Sequence, residues 1–210
     1  MKLVLLGPPG AGKGTQAKRL GVRYSLAQLS TGEMLRSEAK SGSNIGDNIN
    51  LFLDSGQLVP DDLIIAMISC KIESRHYSSG FILDGFPRTV PQAEALNVML
   101  KKKSLRLDHV IALDVEADFI LTRIKGRYSC SNCGAVYNTE FQSTKVEGVC
   151  DVCGSTSFDT RSDDNIQTTC QRISTYNEQT APVLNYYEKR GSLVVVNGMK
   201  DIDEVTGSIE

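Results

Sequence analysis

Short, uninterrupted apolar runs punctuate the chain at Leu3-Val-Leu-Leu6, Phe81-Ile-Leu83, Val110-Ile-Ala-Leu113 and Leu193-Val-Val-Val196. Runs of this length without polar alternation suit strands buried on both faces. Between them, apolar residues recur at helical spacing over residues 13–20, 61–75, 91–102, 117–125 and 163–189. The last of these carries Ile166, Cys170, Ile173, Val183, Leu184 and Tyr187 as its apolar positions, and Pro182 is expected to bend it. Strands alternating with helices predict an α/β fold, a doubly wound parallel sheet wrapped on both faces.

Two segments break the alternation. Residues 31–59 hold Gly32, Gly42, Gly46 and Gly56 between two short helical stretches with no convincing strand, the pattern of an inserted helical flap. Residues 126–161 turn abruptly rich in Cys, Ser, Thr, Asn and Gly and read as a separately folded insert. The expected organisation is a core of residues 1–29, 60–125 and 165–210, a flap of 30–59 and a second insert of 126–164.

Composition narrows the class. The chain has 210 residues, 40% hydrophobic and 23% charged, with a formal net charge of −2. That is an ordinary globular balance, long enough to bury a substantial core. No apolar run approaches the roughly 18 residues that span a bilayer. The first residues lack the apolar stretch and cleavage site of a secretory signal, so a cytoplasmic location is expected. A near-neutral charge argues against nucleic acid or an anionic membrane as partner. Any anion site has to be built locally.

Such a site is written in Gly7-Pro-Pro-Gly10-Ala11-Gly12-Lys13-Gly14-Thr15, which follows the first strand and opens the first helix. Glycines let successive backbone N–H groups face one concavity, the helix adds its positive end, and Lys13 reaches the β- and γ-phosphates. Gly14 stands where such loops generally carry Ser or Thr, which displaces the hydroxyl ligand for Mg²⁺ to Thr15.

Further motifs follow in order: Ser30-Thr-Gly-Glu-Met-Leu-Arg36, Leu83-Asp-Gly-Phe-Pro-Arg88 with Gln92, and Arg161-Ser-Asp-Asp164 with Arg172. With the phosphate loop, this set and its spacing resemble adenylate kinases over residues 1 to about 200. The resemblance implies a P-loop NTPase fold with a helical AMP-binding insert and a zinc-ribbon-like lid of the long bacterial type. It also implies transfer of a phosphoryl group from MgATP to AMP, giving two ADP, by a monomer. Gly10 to Thr15, Arg123, Arg127, Val136, Tyr137 and Lys200 would then bind ATP. Thr31, Arg36, Gln57, Leu58, Val59, Gly85, Phe86, Pro87, Arg88, Gln92, Arg161 and Arg172 would bind AMP, with Arg36 and Arg88 on its phosphate. Lys13, Arg88, Arg123, Arg127, Arg161 and Arg172 would carry catalysis. Compared with the family the chain stops early after Asp201, so a short final helix is expected.

The chemistry suits those residue types. ATP and AMP together carry about six negative charges, a load that planar, bidentate guanidinium groups match well. Arg161 and Arg172, 11 residues apart, would share one face if both lay on a helix. Asp84 ends a strand at the ligand-binding edge of the sheet and is expected to hold Mg²⁺ through water. Asp163 and Asp164 either cap the following helix or pair with arginines of the inserts. His76 and His109 are isolated and suit surface or structural roles, and Gln92 offers an amide that matches the adenine edge.

Cys130-x2-Cys133-x16-Cys150-x2-Cys153 has the spacing of a four-cysteine zinc site. Iron could occupy the same four sulfurs, but zinc needs no redox machinery and is the default. All ligands would be thiolates, so the Zn²⁺ would be structural, stapling an insert too polar to build its own core. Cys70 and Cys170 stand alone. Two other readings remain at this level: a kinase for another nucleoside monophosphate, and a zinc-ribbon module binding nucleic acid, with the phosphate loop as a switch. The second insert has few lysines and no basic aromatic patch, which counts against the latter.

Overall fold

The first three apolar runs become strands whose successive side chains enter two different cores, which is why they lack polar alternation; the fourth, Leu193–Val196, forms an edge strand whose Val194 and Val195 are exposed. The computed structural model describes residues 1–210 apart from Arg75, His76 and Ser78. In chain order the strands are β1 (Lys2–Leu6), β2 (Ala27–Ser30), β3 (Phe81–Asp84), β4 (His109–Asp114), β5 (Arg127–Cys130), β6 (Val136–Asn138), β7 (Phe158–Asp159) and β8 (Leu193–Asn197). The helices are α1 (Lys13–Tyr24), α2 (Thr31–Ala39), α3 (Asn44–Ser55), α4 (Asp61–Ile72), α5 (Val90–Lys102), α6 (Ala117–Lys125), α7 (Ile166–Thr175), α8 (Ala181–Glu188) and α9 (Ile202–Ile209).

Five strands form a parallel sheet in the order β2-β3-β1-β4-β8. Along β1, Val4 and Leu6 join one core with Phe81 and Leu83, while Leu3 and Leu5 join the other with Ile82 and Ile111. The first core is closed by α2 to α5 and α8, through Leu35, Ile49, Ile68, Leu96 and Tyr187, and the second by α1, α6 and α9, through Leu20, Ile120 and Val205. Leu5 lies opposite both Asp84 and Ile111, so the carboxyl ends of β1, β3 and β4 come out along one edge. Because β1 has its chain-later neighbours on both sides, a crevice opens beyond its end, the place where open α/β sheets bind ligands.

The flap is the helix pair α2 and α3, started by Ser30 and Ser43, whose hydroxyls accept from the N–H groups of Glu33 and Gly46. The second insert is an antiparallel sheet, β6-β5-β7, around Cys130, Tyr137 and Cys150. Tyr128 stacks on Tyr137, and Phe158 meets both edge-on.

The structure corrects several expectations. The strand β2 was not visible in the pattern, because only Leu29 among its residues is buried. The long helix over 163–189 is three pieces: α7 begins at Ile166 after the cap Asn165, and a π-helical turn over Tyr176–Thr180 precedes α8. Pro182 has no N–H to give the carbonyl of residue 178, which accounts for the wider turn. Arg161 therefore lies outside the helix that carries Arg172. Of the apolar positions assigned to this segment, Ile166 is 72% exposed and Cys170 is exposed, so the buried stripe starts later. The helix expected over 61–75 is described to Ile72, and its last position, Arg75, lies outside the described residues, as does His76. His109 opens β4 and is exposed, in keeping with a surface role. The final helix has 8 residues.

Leu83 is fully buried in the central sheet. Leu83→Ala is expected to cost about 2–5 kcal/mol in urea denaturation, from lost transfer energy and a residual cavity. Val195→Ala, at a 61% exposed position on the edge strand, should change stability by less than about 0.5 kcal/mol.

Candidate active site

The loop between β1 and α1 is shaped by glycine. Gly10 and Gly12 have φ of 76° and 95°, and a Cβ on Gly10 would stand 3.0 Å from Ile124. The Lys13 ammonium lies back over the loop, donating to the carbonyls of Gly7 at 2.8 Å and Pro8 at 2.7 Å. Desolvation pushes it down to about 8; Asp84 opposes that shift, and Arg88, Arg127 and Arg172 add to it. The Asp84 carboxylate faces Gly14, where a Cβ would be 3.3 Å from Oδ2. Gln28 of β2 donates to the same oxygen at 3.1 Å. Gln28 was missed in the sequence because its strand was.

After β3 the chain turns sharply at Gly85, φ 78°, into a cis Phe86–Pro87 bond. Arg88 Nε and the Thr31 hydroxyl each donate to the Gly85 carbonyl at 2.8 Å, and a Cβ on Gly85 would meet Thr31 Oγ1 at 2.8 Å. One turn thereby fixes the Arg88 guanidinium against the base of the flap. Phe86 is fully buried in the core and does not line the cleft.

Lys13, Arg36, Arg88, Arg123, Arg127, Arg161 and Arg172 all line a single cleft of about 490 Å³ between sheet edge, flap and second insert. Gly10, Gly12, Gly14, Thr15, Thr31, Asp84, Gly85, Pro87, Gln92, the stretch Gln57 to Val59, Val136 and Tyr137 line it too. Burial pushes Arg88 down to about 10, with Arg172 adding to the shift. Burial also pushes Arg161 down to about 10, with Arg127 and Arg36 adding. Arg36 and Arg123 are lowered by burial as well. Two carboxylates offset part of this crowding: Asp163 pairs with Arg172, and Asp164 grips Arg127 with both oxygens, one of them 2.6 Å from Nε. Pairing, not capping, is their role here, since Asn165 caps α7. Of the inserts' arginines, only Arg127 takes part in these two pairs.

Two further expected residues, Ala11 and Lys200, sit at the margins. Ala11 is buried and its carbonyl accepts from Arg123 Nη1 at 3.3 Å. Lys200 borders a shallow recess beside Gly12, Thr15 and Arg123, its ammonium 3.9 Å from Glu204. Two contacts went unforeseen. Lys18 donates to the Gly134 carbonyl at 2.8 Å, tying core to insert, and Arg123 lies over Phe119 with Phe141 nearby.

The sulfur atoms of Cys130, Cys133, Cys150 and Cys153 all lie within 4.8 Å of one another. Cys130 and Cys153 are 3.6 Å apart and Cys133 and Cys150 3.5 Å, too far for disulfides. Zinc–thiolate bonds of about 2.3 Å in a tetrahedron set sulfurs about 3.8 Å apart, so the donor set fits that ion. Gly134 and Gly154, both at positive φ, donate back to the carbonyls of Cys130 and Cys150 at 2.9 Å and close the two knuckles. The Tyr137 hydroxyl lies 3.3 Å from the Cys150 sulfur and accepts from the Asp151 N–H at 2.9 Å. Its hydrogen bond pulls the Cys150 thiol down to about 6. The Tyr137 hydroxyl is therefore committed to the cysteine cluster.

A phosphate loop at the switch point of a parallel sheet, facing an arginine-lined acceptor pocket between two inserts, defines a nucleoside monophosphate kinase on the P-loop fold. A family model described as adenylate kinase matches residues 5–192. The adenylate kinase of Paramagnetospirillum magneticum is 51% identical over all 210 residues, which cover 97% of that protein. Those of Rhizobium rhizogenes and Carboxydothermus hydrogenoformans are 49% and 44% identical over the whole chain. The chain belongs to the adenylate kinase family, and the nucleic-acid-binding alternative is not favoured.

The depressed Lys13 ammonium has a measurable consequence. Phosphate favours the charged form, so affinity for ATP should be full below about pH 8 and fall as pH rises through that value and the free-state ammonium is lost. Calorimetric titration with ATP from pH 7 to 9.5 checks this. Lys13→Arg, which stays charged, should flatten the dependence even if its affinity is lower.

Proposed function

We propose that the chain catalyses ATP + AMP ⇌ 2 ADP as a cytoplasmic monomer, with Mg²⁺ accompanying ATP. The carrying observation is the convergence of Lys13, Arg36, Arg88, Arg123, Arg127, Arg161 and Arg172 on one cleft that is also lined by the phosphate loop, Gln92 and the stretch Gln57 to Val59. The core, flap and lid proposed as its units are residues 1–29 with 60–125 and 165–210, residues 30–59, and residues 126–164.

In this reading the loop N–H groups and Lys13 hold the β- and γ-phosphates of the donor, with Arg123, Arg127 and the strand of Val136 and Tyr137 on the ATP side and Lys200 at its margin. Arg36 and Arg88 hold the AMP phosphate. An oxygen of that phosphate attacks the γ-phosphorus, the bond from the γ-phosphorus to the β–γ bridging oxygen breaks, and ADP leaves with the bond's electron pair. The attacking oxygen is already anionic, so no general base is required. Arg161 and Arg172 neutralise charge on the group in flight. Asp84, through water, and the Thr15 hydroxyl would hold Mg²⁺, which supplies charge neutralisation between the phosphates. Closure of flap and lid excludes the water that would otherwise accept the phosphoryl group.

Cys130, Cys133, Cys150 and Cys153 would hold Zn²⁺ with no open position, so its contribution is rigidity of the lid. The acceptor base is read by Gln92, beside Thr31 and the segment Gln57-Leu58-Val59.

Arg88→Ala is expected to lower kcat/KM about 100-fold or more in a coupled assay while leaving circular dichroism unchanged, since the side chain acts on charge and not on packing. Near-normal turnover would remove it from the machinery. The same assay with GMP, CMP and UMP as acceptors tests the substrate: equal efficiency on CMP would favour a different nucleoside monophosphate.

Freshly purified protein should contain one zinc per chain by metal analysis. Cys150→Ser should lower the melting temperature far more than the specific activity of the protein that remains folded.

A further inference from the structure

The Gln92 amide is held at both ends before any base arrives. Gln92 is 2% exposed and lines the acceptor side of the cleft. Its Oε1 accepts from the Arg88 backbone N–H at 2.7 Å, and its Nε2 donates to Asp61 Oδ1 at 2.6 Å. Asp61 opens α4 directly after the flap and is not among the residues lining the cleft. Its second oxygen accepts from the Thr89 hydroxyl at 2.8 Å, and Thr89 caps α5 by accepting from the Gln92 N–H at 3.2 Å. One carboxylate thus ties the first turn of α4 to the first turn of α5 and to the amide that reads the base.

The two partners of the amide cannot exchange roles. A backbone N–H only donates and a carboxylate only accepts. Turning the amide over would set N–H against N–H and carbonyl oxygen against carboxylate, losing two hydrogen bonds at a buried position. Each end keeps one free valence, a second N–H on Nε2 and a second lone pair on Oε1. In the observed sense these match an amino group beside a bare ring nitrogen, the edge of adenine. The inverted amide would match a carbonyl beside a ring N–H, the edge of guanine.

We propose that Asp61 is a positioning residue for acceptor specificity, its carboxylate locking the Gln92 amide in the sense that reads adenine and against the sense that reads guanine. The inference rests on Gln92 as the reader of the base and adds what fixes its orientation. Arg88 alone would bias the amide from one side; Asp61 supplies the opposing hold.

The test is a double-mutant cycle of Asp61→Asn and Gln92→Leu, assayed with AMP and GMP at saturating MgATP. Asn has nearly the same shape, but its amide can give or accept, so the lock is lost while the packing stays. Asp61→Asn should raise the KM for AMP about tenfold and lower the AMP-to-GMP ratio of kcat/KM by a similar factor, roughly the worth of one hydrogen bond. The KM for ATP should stay within about twofold. In the Gln92→Leu background the same change should move the ratio by less than about twofold, because the group it positions is gone. A tenfold effect that persists there, or an unchanged ratio in the single variant with a lowered melting temperature, would make Asp61 only a brace between helices and overturn the inference. Should Gln92→Leu alone keep the wild-type ratio, the base-reading role falls and this proposal with it. Asp61→Ser, whose hydroxyl also gives or accepts, provides a second variant read by the same ratio if Asp61→Asn folds poorly.

Discussion

Like charge held at close quarters governs this molecule. Guanidinium groups from the flap, the turn after β3, α6, the lid and α7 converge with the Lys13 ammonium on one cleft, and burial with mutual repulsion depresses Lys13, Arg88 and Arg161. Such an arrangement costs free energy unless anions fill it, and the phosphates of two nucleotides are the anions of matching charge and geometry. The price of assembling the cations is met by the rest of the fold, whose two apolar cores hold the backbone that carries them.

The offsetting carboxylates are placed with the same logic. Asp163 and Asp164, just ahead of α7, pair with Arg172 and Arg127, so part of the positive charge is neutralised without phosphate. In the proposed reaction, phosphate groups entering the cleft would compete with these carboxylates for the same guanidinium N–H groups, so substrate binding would act on the hydrogen bonds that join Asp163 to Arg172 and Asp164 to Arg127. Side chains that do not touch phosphate add further ties between the parts, including Lys18 on the Gly134 carbonyl and the Thr168 hydroxyl on the Asp54 carbonyl at the end of the flap.

What was legible in the sequence was what is local. The phosphate loop, the turn from Asp84 to Arg88 and the cysteine knuckles are short segments whose glycines and spacing state their geometry directly. β1, β3 and β4 could be read because burial on both faces leaves uninterrupted apolar runs, β8 because its run is apolar even though Val194 and Val195 are exposed, and β2 could not because only Leu29 among its residues is buried. The start of the last long helix was read at residue 163, with Asp163 and Asp164 as possible caps, because three consecutive capping-type residues precede Ile166 and the pattern does not say that Asn165 is the one that begins it. Pairs such as Arg127 with Asp164, 37 residues apart, and Asp61 with Gln92, 31 apart, depend on how whole elements dock, which no window of sequence contains. The flap, lid and core bounds came from the glycine punctuation of residues 31–59, the compositional shift over 126–161 and the resemblance to the family.

The order of strands in the sheet has a bearing on synthesis. The central strand β1 is made first, yet its partners β3 and β4 begin at Phe81 and His109, and the edge strand β8 begins only at Leu193. During translation β1 must therefore wait, apolar and unpaired, while the flap and much of the core are produced. The lid, by contrast, pairs only with itself, and its knuckles lie within 24 residues, so it is free to fold before the sheet around it is complete. A nascent chain paused within the lid would carry β1, β3 and β4 without β8, leaving Val110 to Leu113 with an open edge. This vulnerability of β4 to intermolecular strand pairing follows from inserting a self-contained module between the fourth and last strands of a sheet.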